Sequence, residues 1–92
     1  MPKKDSLIAI FEQQDKYVDE VANKCFSELT DEDKQAFREH PNPYEHHFGY
    51  GMYIRNNYLY GKELEFPAMI ADNMSHQILE KIIDMCLKEE KQ

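Results

Sequence analysis

Apolar side chains near both ends of this chain recur at three- and four-residue intervals, the spacing of one face of an α-helix. Leu7, Ile8, Phe11, Val18, Val21, Ala22, Cys25, Phe26 and Leu29 form the first series. Met74, Ile78, Leu79, Ile82, Ile83, Met85 and Cys86 form the last. Period-two alternation, the mark of a half-buried strand, is absent, and there are no repeats. The pattern predicts an all-α fold: a compact bundle of about four helices with an irregular connection before the last one. With 92 residues the chain makes one helical domain spanning 1–92, its ends at 1–5 and 88–92 polar and prone to fray.

Between the two series the punctuation is local. Asp5 or Ser6 can cap the first helix over residues 7–29, whose stripe thins around Gln13–Lys16 and allows a break there. Thr30-Asp31-Glu32-Asp33 resembles a capping box with Asp in place of Glu, and Ala36 and Phe37 give the second helix a small apolar face. Pro41 ends that helix near His40, because it disfavours helix in the preceding residue. Asn42 and Pro43 then suit the N-cap and first position of a third helix from about Pro43 to Leu59, closed by Gly61. Its two interior glycines, Gly49 and Gly51, weaken it by roughly 1 kcal/mol each, so a start nearer Phe48 or Tyr50 competes. Residues 61–71 connect to the last helix through Leu64, Phe66, Met69 and Ile70, interrupted by Pro67, and Asp72 can cap that helix.

Charge narrows the function. A net charge of −7 excludes a direct nucleic-acid binder, which needs clustered Lys and Arg, and suits a basic protein partner. No run approaches the ~18 apolar residues of a membrane span, and MPKKDSL carries no secretory signal core, so a soluble cytoplasmic protein is expected. Cys25 and Cys86 lie on apolar stripes and read as reduced core thiols rather than a disulfide or a nucleophile.

Residues 46–61, HHFGYGMYIRNNYLYG, concentrate the unusual chemistry. On a continuous helix Phe48, Met52, Arg55 and Leu59 share one inward face. Arg55 cannot lose its charge to escape burial and so needs acceptors, with Asp72 the first choice and Glu63 or Glu65 next. Asn56 and Asn57 mark a helix end, where their side chains can bond to backbone. Tyr50, Tyr53, Tyr58 and Tyr60 form a candidate interface, since tyrosine combines apolar area with a polar tip. His46 and His47 diverge by about 100° on a helix, and no HxxxH, HExxH or CxxC spacing occurs, so no metal site is expected. GYG lacks the preceding strand and the GK[ST] sequence of a phosphate loop, and no cofactor is expected; the glycines more simply allow close helix approach. If the chain is an enzyme, His47 is the general base with Arg55 and Asp72 as partners.

HFGYGMYIRNNYLYG followed by ADNMSHQIL resembles a domain-of-unknown-function family of small bacterial and phage proteins. The shared pattern falls on His47, Phe48, Gly49, Gly51, Tyr53, Ile54, Arg55 and Asn56, then on Asp72, Asn73, Met74 and Ser75, within a core of about residues 28–84. Tyr53 stands where many relatives have Trp, and Asn73 where a second Asp is common. The resemblance implies a fold and a structural motif that pairs Arg55 with Asp72, and no particular activity.

The reading that fits these features is a small acidic protein–protein interaction module, for instance a phage or mobile-element inhibitor of a host protein with a basic groove. The alternatives are a hydrolase-like, nuclease-like or anion-binding domain using His47, Arg55, Asn56 and Asp72, and a structural homodimer built on the tyrosine surface.

Overall fold

Thr30 is the clearest hinge in the chain, and the structure uses it as one. Asp33 N donates to Thr30 Oγ1 at 3.1 Å and Thr30 N donates to Asp33 Oδ2 at 3.4 Å, a reciprocal capping box. It separates helix α1 (Lys3–Glu28) from helix α2 (Asp31–Glu39). Asp31, Glu32 and Asp33 occupy the first turn of α2, where the helix dipole favours negative charge. The computed structural model describes the backbone of residues 3–59 and 68–90 and the side chains of 14–59 and 69–89. The side chains of Leu7, Ile8 and Phe11, and the whole of Tyr60, Gly61, Glu63, Leu64, Glu65, Phe66 and Pro67, therefore lie outside what is described, as does the irregular connection.

The protein is an all-α bundle of four helices, with no strand among the described residues. After α2 a 3-10 turn (Pro43–His46) leads into short α3 (Tyr50–Ile54), a π turn (Arg55–Leu59), and finally α4 (Ala68–Glu90). Helix α4 is the central post, touching α1, α2, α3 and both irregular turns. Val18, Val21, Ala22 and Cys25 of α1 share one core with Ile78, Leu79, Ile82, Ile83 and Cys86 of α4. Phe37, Ile54 and Leu59 complete it from the intervening elements. Each large aliphatic side chain so buried contributes roughly 1.5–3 kcal/mol. Polar ties fix the register: Lys81 Nζ meets Asp19 Oδ1 at 2.8 Å, and Arg38 Nε donates to the Cys86 carbonyl at 3.1 Å. Lys34 and Arg38 both reach Glu89, at 3.0 and 3.3 Å. No helix among the described residues is long and apolar enough to cross a membrane.

Several local expectations change. Helix α1 starts at Lys3, ahead of the Asp5–Ser6 cap, and runs through residues 13–16 without a break. Helix α4 starts at Ala68, so Asp72 lies inside it rather than capping it, and Met69 is 78% exposed rather than an anchor. Ala36 is exposed as well, leaving Phe37 as the buried contact of α2. The single third helix is three pieces. Asn42 Oδ1 accepts from Tyr44 N at 3.0 Å and starts only the 3-10 turn, and α3 proper begins at Tyr50. Phe48 therefore precedes the helix and stands 81% exposed, and Met52 is 44% exposed. The inward face consists of Gly51, Ile54, Arg55 and Leu59. The late start of α3 accounts for the change: with Phe48 left before the helix, the inward positions fall on Gly51 and Ile54, and the π turn continues them to Arg55 and Leu59.

Candidate functional site

The π turn begins on Arg55, and this sets the environment of the guanidinium. Arg55 points into the junction of α3 and α4 and is 6% exposed. Its Nη1 donates to Ser75 Oγ at 3.2 Å and lies 3.4 Å from His47 Nδ1. Its Nη2 donates to the His47 carbonyl at 3.0 Å. Asp72 Oδ1 is 3.6 Å from Nε, an ion pair beyond hydrogen-bonding range, with an aspartate side chain that is 53% exposed. The carboxylate ranked first from sequence is thus in place, yet the nearer partners are a hydroxyl and a backbone carbonyl. Ser75 is fully buried and donates a hydrogen bond from Oγ to the Asp72 carbonyl at 2.9 Å, so its hydroxyl both donates and accepts.

Gly51 makes this geometry possible. A Cβ there would sit 3.1 Å from the His46 carbonyl oxygen, 3.2 Å from Arg55 Nη1 and 3.3 Å from Leu79 Cδ1. Gly49 has open space around the same position, meeting only the His46 oxygen at 4.0 Å. The close approach expected of the glycines therefore belongs to Gly51, and it serves Arg55 and α4 rather than a Phe48–Met52 ridge.

His47, Arg55 and Asp72 do come together, and Asn56 points outward as an exposed residue. What the trio can do follows from its hydrogen bonds. A guanidinium only donates, so His47 Nδ1 accepts from Arg55 and the ring proton sits on Nε2. In that tautomer the one lone pair of the imidazole faces Arg55. Phe48 stacks edge-on against the same ring at 4.9 Å. Among the described residues no three His, Cys, Asp or Glu side chains gather closely enough to hold a metal ion.

The tyrosines form the opposite seam. Tyr50 is half-buried, packs edge-on against Phe37 at 5.5 Å and lies 5.1 Å from the Tyr53 ring. Its hydroxyl meets the buried Cys25 thiol; burial, followed by the charge of Cys25, pushes it well above the usual phenol range. Tyr58 donates to Glu28 Oε1 at 3.0 Å, and Tyr17 donates to the Tyr58 carbonyl, so α1 is stitched to the π turn. Burial is the leading cause of the raised Tyr58 hydroxyl too, with the Glu28 bond second. Tyr53 faces outward at 42% exposure. Asn57 turns back on its own helix, donating from Nδ2 to the Tyr53 carbonyl at 2.8 Å.

A separate groove of about 350 Å³ lies between the 3-10 turn and α4 and includes none of His47, Arg55, Asn56 or Asp72. Sequence reasoning passed over it, because its walls come from segments some 35 residues apart; the only local signal was the Pro-x-Pro-Tyr run at residues 41–44. No family model, curated protein or solved structure matches the chain.

Proposed function

We propose that this chain is a non-enzymatic interaction module of the cytoplasm that binds a protein with a basic surface. The observation that carries the reading is the outward placement of large apolar side chains on a strongly acidic chain. Tyr44, Phe48 and Met69 are 74%, 81% and 78% exposed, on a protein of net charge −7. Exposed aromatic and thioether side chains amid polar surroundings are what protein interfaces bury. Acidic residues on α1 and at the start of α2 supply electrostatic attraction: Asp19, Glu20, Glu28 and Asp31 are all exposed. An inhibitor from a phage or mobile element, seated in a basic groove of a host protein, is the concrete form of this role. The alternative, a hydrolase-like or anion-binding centre at His47, Arg55 and Asp72, needs an accessible guanidinium and a free imidazole lone pair, whereas Arg55 is 6% exposed and its Nη1 faces His47 Nδ1 at 3.4 Å.

The test is purification of the partner from the native host, followed by calorimetric titration with the wild type and with the double charge reversal of Glu20 and Asp31, which leaves the Asp19–Lys81 and Glu28–Tyr58 ties in place. A defined complex that weakens with salt and with the reversal supports the reading. A complex indifferent to both, or a hydrolytic activity abolished by His47→Ala, overturns it.

A further inference from the structure

We infer that the groove between the 3-10 turn and α4 docks a short extended segment of a partner protein, with an apolar side chain seated between flanking lysines or arginines. This rests on the interaction reading and gives it a site. The floor is apolar, from Ile83 and Leu87, which lie one turn apart on α4. Tyr44 and His76 line it together, their rings 4.7 Å apart. Glu80 and Asp84 supply the charge, also one turn apart, and the lining includes no Lys or Arg. The ion pairs these carboxylates make lie along their own helix: half-buried His76 is 3.1 Å from Glu80 and exposed Lys88 is 3.0 Å from Asp84, and Lys81 adds a longer-range attraction to Asp84. Exposed pairs of this kind are weak and exchange readily for an incoming cation.

Dimensions and rigidity agree with such an occupant. From His76 to Leu87 the helix rises about 16 Å, the length of about five extended residues. The facing wall carries Pro41 and Pro43, whose fixed φ angles leave little to be ordered on binding. Apolar and acidic groups fall together here: Tyr44 offers an exposed aromatic face and Glu80 and Asp84 line the same groove, so an aliphatic or aromatic side chain and a cation are satisfied together.

The probe is a set of nine-residue synthetic peptides with a central Leu or Phe flanked by lysines, compared with versions carrying glutamates or a central Ser, titrated into the ¹⁵N-labelled full chain. The lysine–Leu peptide should shift the amides of Tyr44, His76, Ile83 and Leu87, and the glutamate version should not. The double variant Glu80→Gln/Asp84→Asn should weaken binding about tenfold, the effect of two exposed charge contacts. Tyr44→Ala should weaken it as well; all three positions are exposed, so the fold is retained. The inference fails if no peptide shifts these amides at millimolar concentration, if acidic and basic peptides bind alike, or if the shifts fall around Phe48 and Met52. Shifts of the groove amides on simple concentration, without peptide, would assign it to a second copy of the chain and likewise overturn the inference. A calorimetric complex with the native partner that ignores the groove variants would sink the groove and leave the interaction reading standing.

Discussion

Replacing Arg55 by Met should cost the fold far more than replacing its carboxylate partner, Asp72, by Asn. Methionine keeps most of the apolar volume and removes every donor. Three contacts vanish: Ser75 Oγ at 3.2 Å, the His47 carbonyl at 3.0 Å and His47 Nδ1 at 3.4 Å. At a net ~1 kcal/mol per bond, discounted because half-buried His47 can rehydrate, the loss is about 2–3 kcal/mol. Ser75, fully buried, keeps its own donation to the Asp72 carbonyl but loses the donor it accepted from. Asp72 is different. Its side chain is 53% exposed and 3.6 Å from Nε, so removing its charge should cost below ~1 kcal/mol. A 92-residue domain has about 5–14 kcal/mol in total, which makes the first change severe and the second slight. Urea unfolding followed by circular dichroism measures both. With a slope of about 1–1.5 kcal/mol/M, Arg55→Met should lower the midpoint by about 2 M and Asp72→Asn by at most about 1 M, with the slope unchanged. Equal effects, or an Arg55→Met protein as stable as the wild type, would refute the view that Arg55 is held chiefly by Ser75 and the His47 backbone.

Two further outcomes follow from the same packing. Gly51→Ala gains about 1 kcal/mol of helix propensity but presses a methyl group against a backbone oxygen at 3.1 Å, the held Arg55 Nη1 and buried Leu79; the midpoint should fall by the equivalent of about 1 kcal/mol net, and a rise would mean those neighbours yield. Stability should decline as pH rises past about 9, because the thiols of Cys25 and Cys86, ordinarily near 9.0, and the hydroxyls of Tyr50 and Tyr58, ordinarily near 10.0, are all pushed upward by burial in the fold. The unfolded chain then releases protons that the native state retains, so it binds fewer of them and is favoured by alkali. A thermal midpoint constant from pH 8 to pH 10.5 would contradict this.

The helical bundle was readable because its signals are local and repeat. The α1 and α4 stripes, the Thr30 box and the stop at Pro41 each depend on residues within one or two turns. The break inside residues 43–59 was not readable as it occurs. Gly49 and Gly51 hinted at a later start, but nothing in the run announces that Arg55 opens a wide turn, because π geometry is stabilised by what packs around it. Phe48 and Met52 were placed inward by assuming uninterrupted 3.6-residue periodicity, and the 3-10 turn and the late start of α3 invalidate that assumption. Arg55 was rightly turned toward the interior and toward Asp72. Its principal acceptors were obscure because one is a backbone carbonyl, which has no sequence signature, and the other is a serine on a helix not yet placed beside it. The groove at Tyr44 and His76 was invisible for the same reason.

The two thiols give the molecule a built-in gauge of its own breathing. Cys25 on α1 and Cys86 on α4 have no exposed surface, so an alkylating reagent reaches them only in molecules whose outer helices have parted from the central post. The pace at which label accumulates under native conditions then reports how often the bundle opens, and a difference between the two sites would tell whether α1, over Cys25, or α2, tied to the Cys86 carbonyl through Arg38, parts from α4 first.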